Sequence, residues 1–300
     1  VDSLYRRRST RVVTFSDWEG LEDSIEASEP YISKNDDHQS SASAQRLLRS
    51  CPRNAIDSRY TSFKSEISDD PMIAEILNRA SQSDPRLSTL EEICDSALSE
   101  HQIGKKAGVV VFCEFVGTIN FLKEWAGERG FDVHTLTGVD QSNIDRKEDA
   151  YKHRMKQQQT LIRASQNAID REKLTILICG EGGTVGLDMQ WATHAVHWDI
   201  RFGSVENVSQ KTWRLDRRWD GDPEIHQDFR VTFLINEEEP SLAEANEKFR
   251  QNRIILGDRR YLGGRNGPLL FPPPNGFVDE TWSETERSLS LTMSDARWIW

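Results

Sequence analysis

The sequence predicts an α/β protein whose parallel β-sheet is covered by helices on both faces. Two near-continuous apolar runs, at 108–115 and 174–179, have the length and composition of strands buried on both sides. Stretches with helical periodicity precede and separate them. A glycine-rich loop follows the second run and leads to a further short apolar run at 194–200. Alternating strands and helices of this kind indicate a parallel sheet.

Helices are predicted on the amino-terminal side of the first run. Asp-Pro pairs at 70–71 and 84–85 each indicate a helix start, because aspartate caps a helix and proline suits its first turn. Apolar residues at helical spacing follow both pairs. A short helix broken before Pro52 is predicted within 44–60. We assign residues 1–84 to a partly helical extension or linker.

Helices and strands alternate beyond the first run. Thr118 is predicted to cap a helix over 119–128, which stops at Gly130. The elements predicted next are a strand at 131–136, a long polar helix at 143–171, and strands at 174–179, 194–200 and 229–235. Glycine and proline accumulate after 257, so residues 257–300 are assigned to a loop-rich tail.

The long polar helix carries Lys152, Arg154, Lys156 and Arg163. A charge run of this kind is usually a solvated helix face, and contact with a nucleic-acid backbone is the alternative.

Composition limits the possible partners. The chain has 300 residues and a formal net charge of −11, so no global basic field attracts nucleic acid. A local patch is present, since residues 201–219 contain five basic and two acidic residues. The four cysteines form no CxxC pair, which favours an intracellular, reducing compartment, cytoplasmic or nuclear. No apolar run is long enough to cross a membrane. The chain opens on Val1, and we expect it to begin within a longer polypeptide.

The stretch from 173 to 219 is the most informative part of the sequence. Its glycine loop at 180–186 allows backbone N–H groups to approach an oxyanion closely. Arg214 and Arg217 are three residues apart, so on a helix both would project to one side and reach one phosphate chain. The pattern therefore predicts chemistry at a phosphate group.

This stretch resembles the second RecA-like lobe of superfamily-two helicases and translocases, in the Swi/Snf-like branch and nearest its bacterial RapA-type ATPases. Residues 180–190 (GEGGTVGLDMQ) resemble the fifth motif of that group, and residues 194–199 (HAVHWD) resemble the strand that follows it. Residues 210–217 (QKTWRLDR) resemble its sixth motif. The resemblance spans about residues 85–236, and it implies a helicase C-terminal RecA-like domain over 85–256.

The resemblance also implies roles for single residues. It makes Arg214 and Arg217 arginine fingers that stabilise charge on ATP. The residues that it assigns to coupling between nucleotide and nucleic acid are Glu181, Gly183, Gly186, Asp188, Gln190 and Gln210. Two positions depart from the motif, because Lys211 stands where the family has its first arginine and Trp213 where it has glycine.

Two parts of an ATPase are missing from the sequence. No GxxxxGK[ST] loop is present to hold phosphates, and no Asp-Glu-x-His box to hold magnesium. By the resemblance, both belong to an N-terminal RecA-like lobe, in the same longer polypeptide or in a separate subunit. We expect that lobe to hold ATP and Mg²⁺, DNA or RNA to bind across both lobes, and this chain to be inactive alone.

The main alternative function is a catalytically silent interaction module in which Trp213 blocks the site. A dinucleotide-binding turn is disfavoured, because the glycine spacing at 180–186 does not fit GxGxxG and no crossover helix has room before the next strand. No metal site is predicted, since His194 and His197 on one strand face opposite sides of the sheet.

Overall fold

The computed structural model describes part of the chain, and all structural statements below concern that part. The described residues are 8–15, 18–32, 45–57, 70–102, 107–137, 147–170, 173–180, 189–199, 211, 214–215 and 229–236. The strands are β1 (Arg8–Phe15), β2 (Gly108–Phe112), β3 (Asp132–Leu136), β4 (Thr175–Cys179), β5 (His194–His197) and β6 (Phe229–Asn236). The helices are α1 (Leu21–Ile32), α2 (45–50), α3 (Asn54–Asp57), α4 (Pro71–Gln82), α5 (Arg86–Gln102), α6 (Val116–Glu128) and α7 (Lys147–Asp170).

The strands form one parallel sheet in the order β1-β6-β5-β2-β4-β3. The five strands predicted from the sequence are its members β2 to β6. Strand β1 was not predicted, and it pairs with β6 over eight residues at the edge of the sheet. The division of the chain at residue 84 remains a prediction, although this edge strand comes from the amino-terminal part. The predicted fold class, a RecA-like α/β sheet, is confirmed.

Each face of the sheet is covered by helices. Val110 and Phe112 of β2 point to the face that α7 covers, where Ala164 and Ala168 pack. The alternate residues Val109 and Val111 point to the other face, in a core with α5 and α6. This alternation, with apolar residues on both sides, is the reason why β2 and β4 are uninterrupted apolar runs in the sequence.

The predicted starts of α4 and α5 are confirmed. The Asp70 carboxylate accepts hydrogen bonds from the backbone N–H groups of Met72 and Ile73, and Pro71 opens the helix. Asp84 likewise accepts a bond of 2.9 Å from the N–H of Arg86 at the start of α5. These carboxylates satisfy N–H groups that the first helical turn leaves without partners.

The predicted cap of α6 was wrong. The helix begins at Val116 with Phe115 at its cap position, and Thr118 lies within the first turn. The Thr118 hydroxyl instead forms hydrogen bonds with Ser50 (2.6 Å) and Asn54 (2.9 Å). A buried hydroxyl requires a partner, and here the residues around α2 and α3 supply it in place of the α6 backbone.

A buried arginine joins α5 to the sheet and to the amino-terminal helices. Arg86 is 4% exposed, and its guanidinium forms two short hydrogen bonds with the Asp84 carboxylate. It also donates to the carbonyls of Ser50 (2.7 Å) and Trp198 (3.3 Å). The guanidinium carbon lies 4.4 Å from the centre of the Trp198 ring and 4.6 Å from that of Trp18. A buried charge is tolerated only when it is paired in this way.

We predict that Asp84→Asn destabilises the protein strongly, because it removes the nearer of the two carboxylates that pair with the buried charge of Arg86, Asp84 at 2.6 Å and Asp199 at 3.8 Å. The expected loss in the free energy of unfolding is about 3 kcal/mol, measured by urea denaturation. Asp23→Asn is the matched control, since Asp23 lies 3.9 Å from Arg79 in a solvent-exposed pair. It should cost less than about 1 kcal/mol. Equal losses in the two variants would contradict the importance of the buried pair.

A close approach between β2 and the turn before β5 places a glycine at the start of β2. A methyl group on Gly108 would lie 2.3 Å from Cζ3 of the Trp191 ring. The buried Trp191 side chain therefore occupies the space that any larger residue at 108 would need.

We predict that Gly108→Ala lowers the free energy of unfolding by about 1–3 kcal/mol through this overlap. Gly127→Ala in α6 is the control, because nothing lies within 4 Å of its added methyl group. Alanine favours the helix there, so the control should be neutral or up to about 1 kcal/mol more stable. Thermal unfolding of both variants measures the difference, and a stable Gly108→Ala variant would refute the overlap.

Candidate functional site

The carboxyl ends of the parallel strands meet at one edge of the sheet, referred to below as the carboxyl edge. The residues that follow the strands there are connected by backbone hydrogen bonds. Cys113 donates to the Cys179 carbonyl (2.8 Å), and Gly180 donates to the Leu136 carbonyl (2.7 Å). Ligands of open α/β sheets bind outside this edge, because loops converge there.

The point where the connections change direction lies between β2 and β5. The chain leaves β2 toward β3 and leaves β5 toward β6, on opposite sides. Two acidic residues lie at this point, where the Glu114 N–H donates to the Asp199 carboxylate (2.8 Å). Burial raises the pKa of Asp199, and the charge of Arg86 opposes this shift.

Residues of the chain itself occupy the space beside this pair. Arg46 of α2 binds both carboxylate oxygens of Glu114, at 2.6 and 2.8 Å. The Ser50 carbonyl accepts hydrogen bonds from Arg86 and from the Trp198 indole (3.1 Å). In this conformation the amino-terminal helices therefore cover the crevice between β2 and β5.

The glycine loop begins at the carboxyl end of β4. Gly180 is described and buried, whereas Glu181, Gly183, Gly186 and Asp188 lie outside the described residues. The loop ends at Met189, whose N–H donates to the Arg214 carbonyl (3.0 Å). The structure thus connects the end of the loop to the segment that contains the predicted arginine fingers. Gln190 follows directly and is partly buried.

Arg214 lies in a turn that packs onto the sheet. It is 8% exposed, and its neighbour Leu215 is part of the core on the α7 side of the sheet. Its N–H donates to the Lys211 carbonyl (3.3 Å). Arg217 and Gln210 lie outside the described residues. The roles assigned to all these side chains remain predictions.

The positive charges of Lys211 and Arg214 influence the pKa values of groups at the carboxyl edge. Burial raises the pKa of Cys179 far above its usual value, and the charges of Lys211 and Arg214 partly oppose that shift. The charge of Lys211 also opposes the raised pKa values of Cys113 and Asp199. Lys211 therefore carries positive charge close to the ends of β2, β4 and β5. Lys211 stands where the resembled sixth motif has its first arginine, so a positive charge is present at this position in either case.

His197 lies in the centre of the sheet. Its ring stacks between Phe112 and Phe233, with centroid distances of 5.0 and 4.6 Å. Burial lowers its pKa well below the usual value, and the charge of Lys211 lowers it further. His194 has other partners, Thr193 and Arg230. The two histidines therefore have different partners, aromatic rings for His197 and polar side chains for His194.

We predict that neutral His197 makes the fold sensitive to acid. An unfolded histidine takes up a proton near pH 6.5 and buried His197 does not, so stability falls as the pH drops below that value. Through this one histidine, the free energy of unfolding falls by at most about 1.4 kcal/mol per pH unit. His197→Phe keeps a ring in the stack and removes the proton, so its urea midpoint should depend less on pH between 6.5 and 5. Identical pH profiles of variant and wild type would contradict a neutral His197.

Among the described residues, no group of three or more His, Cys, Asp or Glu side chains could hold a metal ion. Within the same part of the chain, no helix is long and apolar enough to span a bilayer. All four cysteines are free and buried.

Several residues of the carboxyl edge were absent from the predicted site. Glu114 and Arg46 are examples, and Ser50 joins them through its carbonyl. Glu114 directly follows an apolar run, which is a signal that sequence reasoning could have used. Arg46 and Ser50 come from a distant part of the chain, and nothing local marks them.

Solved structures that are similar to this chain include the following two. The chain is similar to the C-terminal part of the Fun30 ATPase domain, with 11% identity, 78% of this chain and 87% of that chain covered, and a TM-score of 0.47. It is also similar to a Sulfolobus solfataricus SWI2/SNF2 ATPase core in complex with dsDNA, with 16% identity and a TM-score of 0.45. That likeness covers 84% of this chain and 47% of the other.

No protein-family model matches this sequence, and no curated protein does. The second structure carries the name of the Swi/Snf group, which the motifs at 180–190 and 210–217 resemble. At these identities and TM-scores, neither structure indicates what any residue of this chain does.

Proposed function

We propose that this chain is the second, C-terminal lobe of an ATP-dependent nucleic-acid translocase or helicase. The observation that carries the proposal is the bond from the Met189 N–H to the Arg214 carbonyl, which joins the glycine loop to the arginine segment. The glycine loop leaves the sheet at Gly180 on the carboxyl edge, and the charge of Lys211 in the arginine segment acts on Cys179 at the same edge. This is the edge where open α/β sheets bind ligands.

The chemistry assigned to the arginines is the stabilisation of charge during phosphoryl transfer. Arginine keeps its charge at all relevant pH values and can bind two phosphate oxygens at once. Arg214 and Arg217 would contact the phosphates of ATP held by a first lobe. Because Arg214 is buried, we assign it the additional role of fixing the turn at 214–215.

The glycine loop would couple nucleotide to nucleic acid. Its two ends are tied to different structures, Gly180 to β3 and Met189 to the arginine segment. A displacement of the arginines on nucleotide binding would therefore move the loop. The residues proposed to transmit this movement to DNA or RNA are Glu181, Gly183, Gly186, Asp188, Gln190 and Gln210.

The remaining components would come from the first lobe, in the same longer polypeptide or in a separate subunit. That lobe would supply the lysine loop for the phosphates and the carboxylates for Mg²⁺, since the sequence of this chain contains neither motif. When bound, Mg²⁺ would neutralise phosphate charge. Closure of the two lobes would exclude water and drive stepping along the nucleic acid. An intracellular setting agrees with four free cysteines.

A second candidate function is a catalytically silent interaction module. Two observations favour it: Arg214 is 8% exposed, and the crevice between β2 and β5 is covered by the chain itself. Trp213 at the position of the family's glycine would then obstruct access to the nucleotide.

The two candidates differ in the effect of Arg217→Ala. We predict that the chain, combined with its natural first lobe, hydrolyses ATP faster when duplex DNA is added, and that Arg217→Ala lowers this rate at least a hundredfold, since an arginine finger contributes about 10³ to 10⁵. Arg79→Ala is the control, because Arg79 lies exposed on α4. Equal rates for Arg217→Ala and wild type would reject the arginine finger and favour the silent module.

A further inference from the structure

The parallel strands begin at the end of the sheet opposite the carboxyl edge, referred to below as the amino edge. His194 opens β5 there and lies in register with Arg230, the second residue of β6. His194 is also in register with Val109 of β2, whose side chain packs in the core with α5 and α6. Residues in register on neighbouring parallel strands share a face of the sheet, so His194 and Arg230 lie on the face that α5 covers.

The hydrogen bonds of His194 define its protonation state. A guanidinium group only donates, so the Nη1 atom of Arg230, at 2.8 Å, requires a lone pair on Nε2 of His194. The proton of the neutral ring is then on Nδ1, which lies 2.9 Å from the hydroxyl oxygen of Thr193. That hydroxyl in turn donates to the Gly108 carbonyl (3.4 Å), which leaves its oxygen able to accept. His194 is 3% exposed, and the contact holds it in one neutral tautomer.

Arg230 has a second partner on α5. The same Nη1 atom donates to the carboxylate of Glu100, in the last turn of that helix, and the two side chains form an ion pair. Imidazole, guanidinium and carboxylate therefore form a row from β5 through β6 to α5. The side chain of Arg230 is 49% exposed and that of Glu100 is 19% exposed, so the guanidinium is the member of the row that can turn into solvent.

The surroundings of this row contain one further titratable side chain in the described part of α5. His101 follows Glu100 directly in the last turn of the helix. Val109, which faces His194 from β2, is apolar. Two lysines at 105–106 precede β2 in the sequence and lie outside the described residues.

We propose that His194 is a pH-sensitive switch that holds β6 against β5 and α5 only while its ring is neutral. A proton taken from solvent by Nε2 would place an N–H group and a positive charge against Nη1 of Arg230, a contact between two donors and two cations. Arg230 would turn into solvent, and the new N–H of His194 would donate to the Glu100 carboxylate in its place. The protonated form keeps an ion pair between β5 and α5 but loses the side-chain contact to β6.

The consequence concerns the two strands at one end of the sheet. Among the described strands, β6 is joined to the others through β5, and β1 pairs with β6 alone. Loss of the Arg230 contact therefore weakens the attachment of β6 and β1 together. The open form binds one proton more than the closed form, so opening becomes more favourable as the pH falls below about 6.5. His197 stacks on Phe233 in the core on the other face of the sheet, so the two effects can be separated.

Long-range ¹H–¹⁵N NMR of the ¹⁵N-labelled chain tests the protonation state, with His194→Gln to assign the ring signals. At about pH 7.5 the ring of wild type should carry its proton on Nδ1. Arg230→Gln should raise the titration midpoint of the ring by about one pH unit, because the opposing charge is gone, and Glu100→Gln should lower it. Arg129→Gln is the matched control and should leave the midpoint unchanged. Arg129 pairs with another glutamate of α5, Glu91, about 13.5 Å along the helix from Glu100.

Hydrogen exchange tests the effect on the strands. Between about pH 7.5 and 5.5, the protection of the amides at 229–236, relative to those at 175–179 in β4, should fall about tenfold in wild type. His194→Gln keeps an acceptor for Arg230 that takes up no proton, so its protection ratio should be independent of pH. His197→Phe should respond as wild type does.

Three results would overturn the proposal: a wild-type ring with its proton on Nε2, an unchanged midpoint in Arg230→Gln, or a protection ratio that falls equally in His194→Gln. An equal shift in Arg129→Gln would also overturn it, because the effect would then come from net charge alone. Loss of the pH response in His197→Phe would assign the switch to the wrong histidine. The assays need neither ATP nor a first lobe, so their outcome is separate from that of Arg217→Ala.

Discussion

The structure depends on one buried guanidinium group. Arg86 joins three regions that are distant in sequence: the start of α5 through Asp84, the end of α2 through the Ser50 carbonyl, and the end of β5 through Trp198. Its flat faces lie against aromatic rings, and its N–H groups reach a carboxylate and main-chain carbonyls. Each of these contacts offsets part of the cost of removing a charge from water. Loss of one partner therefore leaves the buried charge of Arg86 less well compensated.

That constraint also shapes the carboxyl edge. The amino-terminal helices lie over the crevice between β2 and β5. There Arg46 binds the Glu114 carboxylate, and the Asp199 carboxylate accepts a hydrogen bond from the Glu114 N–H. The positive charges of Lys211 and Arg214 also act on this edge, at Cys179 in β4. The proposed phosphate chemistry belongs to the same edge.

The sequence predicted β2 and β4 well because strands buried on both faces must be apolar throughout, and this leaves an uninterrupted run. It predicted the starts of α4 and α5 because an aspartate cap acts on the residues directly after it. It did not predict β1, whose polar sequence RSTRVVTF is typical of an edge strand. It also assigned Thr118 to a helix cap, although the Thr118 hydroxyl forms hydrogen bonds with Ser50 and Asn54. Local rules fail at such positions because the deciding partner lies more than sixty residues away.

The sequence by itself determined the parallel α/β class, the caps of two helices and the resemblance of 180–190 and 210–217 to helicase motifs, since each depends on neighbours along the chain. Only the tertiary structure decided that β1 joins the sheet, that Arg86 is buried, and that the Met189 N–H is hydrogen-bonded to the Arg214 carbonyl. These features arise where distant segments meet, and their energy depends on burial and on hydrogen-bond partners that no short stretch of sequence contains.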